Sequence, residues 1–196
     1  APGTGFPGES SGKLPVRERW HATEKISLAF GYGITASPLQ LASAYGALAN
    51  DGVRLPVSLL ATEDEPQGDR VISSRVAAQV LDVLHAVTNE HGTARKARVP
   101  GYEVGGKTGT VHKVGPNGYM EDQYVALFAG VAPIEDPRIV TVVVINEPQG
   151  ENYGGGSAAA PVFSAVTEGA LRILNITPTA MGELARGELA NGGGEA

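Results

Sequence analysis

Cysteine is absent from the 196 residues, which excludes disulfides, thiol nucleophiles and cysteine-based zinc sites while leaving the compartment open. Long apolar runs are missing too. Nothing approaches the about 18 consecutive apolar residues of a membrane span, and the chain opens Ala1-Pro2-Gly3-Thr4-Gly5 without a methionine or signal segment. Any anchor or export signal would have to lie upstream of Ala1. Positive charge is scarce as well: 15 Lys and Arg stand against 21 Asp and Glu, a net charge of −6 that gives no footprint for nucleic acid. The one basic cluster, Arg95-Lys96-Ala97-Arg98, reads as a solvated loop. No repeat array is evident. His21, His85 and His91 have no carboxylate or thiol partner at ligand spacing, so no metal is expected and no cofactor is called for, and His85 reads as a helix residue at the edge of the core.

What is present can bury a core: 42% of the residues are hydrophobic, enough at this length for one domain or a large piece of one. Residues 1–178 read as that piece and 179–196 as a flexible C-terminal tail, its end Asn191-Gly192-Gly193-Gly194 having the composition of a frayed segment. The Gly-, Pro- and Ser-rich first 20 residues look like a chain entering mid-domain.

The most informative stretch is Gly105-Gly106-Lys107-Thr108-Gly109-Thr110, which fits two chemistries. With Gly101 it satisfies the phosphate-loop pattern, but that loop needs a buried strand before it and a helix after it. Upstream stands the basic, proline-ended Thr93 to Pro100, and downstream a hairpin signal at Gly115-Pro116-Asn117-Gly118. A phosphate loop would require a helix from Thr108. The alternative is a Lys-Thr-Gly strand: Val104–Val114 extended, a turn at 115–118, and a returning strand Tyr124–Val131. Ile139–Ile145 is too β-branched for a comfortable helix and too continuously apolar for a half-wet strand, so it is expected to be central and covered on both faces. Glu135-Asp136-Pro137 reads as the turn before it.

Three helices are expected. The first has Ser37 as N-cap, Pro38 at its first position and Gln40 closing a capping box, and runs to about Asn50. The second starts at Ser73 or Ser74, carries Val76, Val80, Val83, Leu84 and Val87 at helical spacing, and ends at His91-Gly92 with glycine as a left-handed cap. The third runs from about Ser157 to Leu174 with Pro161 in its first turn. The architecture implied is α/β of the α+β kind, an antiparallel sheet flanked by helices on both faces.

Four blocks in order, Gly3-Thr4-Gly5-Phe6-Pro7-Gly8-Glu9, Phe30-Gly31-Tyr32-Gly33 with Ser37-Pro38-Leu39-Gln40-Leu41-Ala42, Gly106-Lys107-Thr108-Gly109-Thr110, and Tyr153-Gly154-Gly155-Gly156 leading to Ala160-Pro161-Val162-Phe163, resemble the transpeptidase domain of class B penicillin-binding proteins. The resemblance is to the septal cell-division type of Gram-negative bacteria and covers the chain to about Pro178. It implies the penicillin-binding-protein and serine β-lactamase-like fold. Members of the family use a Ser-x-x-Lys nucleophile and a Ser-x-Asn element. Ser-x-Asn does not occur in this sequence, and Ser10-Ser11-Gly12-Lys13 matches Ser-x-x-Lys only in a Gly/Ser/Pro-rich stretch where a loop serine is the better reading. The nucleophile is expected upstream of Ala1, in the N-terminal part of the same polypeptide.

The same resemblance implies roles for the residues present. Lys107 supplies a fixed cation in the cleft, and the N–H of Thr110 is an oxyanion donor. The Thr108 and Thr110 hydroxyls take the terminal carboxylate of a peptidoglycan stem peptide or a β-lactam antibiotic. Gly109 lets the substrate backbone pair with the strand edge. Tyr153, Gly154 and Gly155 are placed against the ligand, with Tyr124 and His112 also facing the cleft, His112 standing where many relatives carry a basic residue such as Arg. Without the family blocks, Lys107 would read as a solvated strand lysine, the threonines as ordinary β-formers and Tyr153 as a rim aromatic. The parent protein is implied to be held at the periplasmic face of the inner membrane by an upstream transmembrane helix, working with division-machinery membrane proteins that include a polymerising glycosyltransferase. A catalytically silent scaffold domain that kept the strand and lost the serine is the alternative.

Overall fold

The computed structural model describes residues 2–63, 66–116, 118–150 and 152–179. In chain order the elements are α1 (Ala22–Ala29), α2 (Pro38–Ala49), β1 (Val53–Arg54), β2 (Asp69–Arg70), α3 (Ser74–Ala86), β3 (Gly105–Gly115), β4 (Gly118–Ala132), β5 (Ile139–Asn146) and α4 (Gly155–Ile173). The tail expected beyond 178 lies, apart from Thr179, outside the described residues, as does Asn117 of the expected turn.

Sheet order is β3-β4-β5, every pair antiparallel. β4 is therefore central, and β5, expected in that position, pairs on one side only among the described residues. Its apolar run is explained by cover above and below, not by flanking strands: α4 packs on one face and α2 on the other. Side-chain alternation assigns the faces. Phe128, Gly130, Val143 and Thr141 look toward α4, where Phe128 meets Phe163 edge-on at 4.7 Å between ring centroids and Thr167 donates to the Thr141 hydroxyl at 3.2 Å. On the opposite face α3 lies against β3, so close that a Cβ on Gly105 would fall 2.9 Å from the His85 backbone nitrogen. β4 begins six residues earlier than expected, at Gly118 and not Tyr124, through an irregular stretch where the register shifts and Asp122 adopts φ 59°.

Local signals set the helix starts. Ser37 accepts from the Gln40 N–H at 3.1 Å while Gln40 Oε1 accepts from the Ser37 N–H at 2.9 Å, the expected capping box. Ser73 caps α3 through the Val76 N–H at 3.3 Å. The end of α3 differs from expectation. It stops at Ala86, and Thr88 Oγ1 sits 3.0 Å from the His85 carbonyl oxygen and 2.9 Å from that of Val104, drawing the chain off the helix axis. Gly92 is not a left-handed cap: the chain folds back so tightly that a Cβ there would lie 2.0 Å from the Val87 carbonyl oxygen. α4 starts two residues early, at Gly155, which places Pro161 in its second turn and leaves the Ser157 carbonyl without its helical donor. The basic run is not a plain solvated loop. Arg95–Ala97 forms a 3-10 turn against α4 with Ala97 buried, and Arg98 Nε donates to the Thr88 carbonyl at 2.7 Å. α1, with no buried residue, has no counterpart among the expected helices.

Candidate active site

β3 lies at the edge of the sheet, and Gly105-Gly106-Lys107-Thr108-Gly109-Thr110 is extended throughout. No helix starts at Thr108, so the phosphate-loop reading is overturned: a phosphate cradle needs the loop-to-helix turn that this strand replaces. The glycines follow from packing. A Cβ on Gly106 would lie 2.5 Å from the Phe128 ring, and one on Gly109 would lie 2.8 Å from Leu127 Cγ, so each clears a β4 side chain.

Alternation sends Lys107 and the two threonines to opposite faces of β3. Lys107 is exposed, its ammonium donating to the Thr108 carbonyl at 2.8 Å. Thr108 Oγ1 lies 3.4 Å from Thr93 Oγ1, and Thr110 Oγ1 accepts the Gly155 N–H at 3.0 Å. Thr93, from the loop after α3, brings a third hydroxyl to this corner. It carries no motif in the sequence, and only its spatial neighbour Thr108 marks it out.

Further along the strand, four aromatic rings gather. Tyr124 and Tyr153 stack at 4.0 Å and 13°, and His112 lies 4.5 Å from Tyr124 and 6.3 Å from Tyr119. The Tyr153 hydroxyl, with loss of water contact adding to it, raises the Tyr124 phenol above its ordinary value. Gly154 and Gly155, next to Tyr153, open α4, with Gly155 buried. Thr108 and Thr110 meet Gly154 and Gly155 where β3 faces the start of α4, His112, Tyr124 and Tyr153 cluster further along the hairpin, and Lys107 with Gly109 lies on the other face of β3. A cavity of about 730 Å³ opens at the far end, between residues 13–35 and the hairpin, and is lined by Trp20, Tyr32, Val111, His112 and Tyr119. Ser10 is exposed on a segment with no helix, its hydroxyl accepting from the Gly12 N–H at 3.3 Å.

The family model described as the penicillin binding protein transpeptidase domain matches residues 1–168. The chain belongs to the penicillin-binding protein transpeptidase family. It is 42% identical over 176 residues to the probable peptidoglycan D,D-transpeptidase PenA of Neisseria flavescens, covering 90% of this chain and 44% of that protein. It is 41% identical over 177 residues to the peptidoglycan D,D-transpeptidase FtsI of Escherichia coli K12, covering 90% of this chain and 30% of that protein. The transpeptidase domain of Burkholderia pseudomallei penicillin-binding protein 3 superimposes with a TM-score of 0.85 at 43% identity, covering 91% of this chain and 55% of that one. The mixed fold of helices and antiparallel sheet is thus that of the penicillin-binding transpeptidases. The chain spans about a third to under half of the curated relatives it matches.

Proposed function

We propose that the chain is part of a serine-type peptidoglycan D,D-transpeptidase of septal cell-wall synthesis, the Lys-Thr-Gly-Thr portion of its catalytic domain. The observation that carries this reading is Lys107-Thr108-Gly109-Thr110 held extended on an exposed sheet edge beside the glycine turn that opens α4. The relatives named peptidoglycan D,D-transpeptidases support it.

In the proposed reaction, a serine from a part of the polypeptide outside residues 1–196 attacks the carbonyl between the two terminal D-alanines of a stem peptide. The terminal D-alanine leaves with a proton, and an amine of a second stem peptide takes the acyl group, losing its proton and freeing the serine. Negative charge gathers on the carbonyl oxygen in each step. The Thr110 N–H is assigned to that charge, Lys107 to the cleft's field and to the neighbouring catalytic hydroxyls, and the Thr108 and Thr110 hydroxyls to the substrate carboxylate. The stacked Tyr124 and Tyr153 with His112 form an apolar wall for the side of the ligand. A β-lactam takes the same path as far as the acyl-enzyme, its ring opening in place of amine departure. The parent protein is proposed to sit at the periplasmic face of the inner membrane with an upstream anchor, beside division-machinery proteins including a polymerising glycosyltransferase.

The test is fluorescent-penicillin labelling of the full parent protein with peptide mapping of the adduct. The expected adduct lies on a serine outside residues 1–196, and Lys107→Ala lowers its rate of formation by about a hundredfold or more. An adduct on Ser10 would overturn the assignment of the nucleophile, and no adduct anywhere would favour the silent scaffold.

A further inference from the structure

Gly154-Gly155-Gly156 lies on the face of β3 that carries Thr108 and Thr110. Gly155 and Gly156 are each pressed against a different partner, and Gly154 is in ordinary contact with Thr110. The position a Cβ would take on Gly154 is 3.7 Å from Thr110 Oγ1, and on Gly156 it is 2.3 Å from the Thr93 carbonyl oxygen. Gly155, between them, is buried, and a Cβ there would fall 2.4 Å from the Leu127 carbonyl oxygen, 2.6 Å from the Gly109 carbonyl oxygen and 3.1 Å from the Gly109 nitrogen. These are backbone atoms of two paired strands, and none can swing aside.

The contact has a hydrogen-bonding consequence. The first N–H groups of a helix have no partner within it, and an N-cap side chain ordinarily supplies one. Here the N-cap is Gly154, which has no side chain, and the Gly155 N–H donates instead to Thr110 Oγ1, 45 residues away, at 3.0 Å. A threonine hydroxyl has one proton and two acceptor sites, and its rotor is otherwise free to turn. With one acceptor site held by Gly155, the proton is turned away from α4 and left to donate elsewhere.

We infer that Gly155 is a positioning residue for Thr110: it lets the start of α4 close onto the Gly109 backbone and, by its N–H, fixes the Thr110 hydroxyl as a donor toward the carboxylate of the bound substrate. Gly155 thus acts through Thr110 and need not touch the ligand. The inference rests on the carboxylate role given to Thr110 above.

The experiment measures the second-order acylation rate of the full parent protein with benzylpenicillin and with its methyl ester, which lacks the anionic carboxylate. Gly155→Ala is expected to slow reaction with the acid about tenfold or more and with the ester much less. Thr110→Val should do the same, and Gly155→Ala added to Thr110→Val should cost nothing further. Replacing Gly155 by glycolic acid, which converts its N–H to an ester oxygen and adds no side chain, should reproduce the selective loss even if the alanine variant fails to fold. Equal losses for acid and ester, additive losses in the double variant, or an unchanged acid-to-ester ratio in the glycolate protein would each overturn the positioning role. A wild-type protein acylated by neither compound would instead sink the transpeptidase reading itself.

Discussion

Glycine is abundant both in residues 2–35 and in the block formed by β3, β4 and the start of α4, and the two regions use most of it in opposite ways; Gly12, where a Cβ would fall 2.4 Å from the Thr35 carbonyl oxygen, and Gly118, open at φ 114°, stand apart. Gly3, Gly5, Gly8, Gly31 and Gly33 all have positive φ, between 74° and 91°, and an added Cβ on any of them would touch nothing within 4 Å. Gly105, Gly106, Gly130 and Gly155 have ordinary φ, and an added Cβ would meet a neighbour at 2.4 to 2.7 Å. The first set serves chain direction and the second serves close packing. The stabilising forces differ in step. The block is held by apolar burial around Phe128, Phe163 and Leu171. The first region has no buried side chain in α1 and leans on local polar contacts, with the Glu9 carboxylate accepting from the Gly3 N–H at 3.1 Å, the Thr4 N–H at 2.7 Å and the Thr4 hydroxyl.

The comparison can be broken in order of expected effect, using thermal or denaturant unfolding of the purified protein. Phe163→Ala removes the ring that packs on Phe128 and should cost about 3–5 kcal/mol; a cost near that of a surface change would show that α4 does not seal the core. Gly130→Ala places a methyl 2.7 Å from the Phe163 ring, and about 1–3 kcal/mol is expected. In the same assay Gly8→Ala meets no atom and faces only the backbone penalty of a positive φ, about 1 kcal/mol. Should Gly8→Ala prove as damaging as Gly130→Ala, residues 2–35 are packed against something and the contrast fails.

The last test is one of pH. Hydrogen bonding by the Thr4 hydroxyl, aided by the Thr4 and Gly3 N–H groups, holds the Glu9 carboxyl below its ordinary value. A depressed folded-state value means that this ordering is fully present above the ordinary carboxylate range and is lost as pH falls through the lowered value. Amide shifts of Gly3 and Thr4 should therefore move together below that range and stand still in Glu9→Gln. Phe128 and Gly130 should not follow, and a shared titration would mean that the two regions respond as one.

Much of the fold was legible because its signals are local. The Ser37-Pro38-Gln40 capping box involves four successive residues, and the hairpin around 115–118 follows from Pro and Gly between β-branched runs. The ends of elements were less legible. α3 stops where the Thr88 hydroxyl reaches the Val104 carbonyl, 16 residues on, and nothing in the 74–92 periodicity announces that competition. β5 has the composition of a central strand because helices cover both of its faces, and burial from above looks the same in sequence as burial between strands. At the site, Lys107, Thr108 and Thr110 were evident from the motif, whereas Thr93 was not.

The amino-acid sequence alone determined the family, the extended state of Lys107–Thr110 and the starts of α2 and α3, since each depends on residue types at short fixed spacing. Tertiary structure alone decided what Gly154, Gly155 and Gly156 are for and which way the Thr110 hydroxyl is held. The function of a glycine in packing is set by atoms that approach the side chain it lacks, and here those atoms belong to two strands and a loop 28 to 63 residues earlier in the chain, beyond the reach of any local pattern.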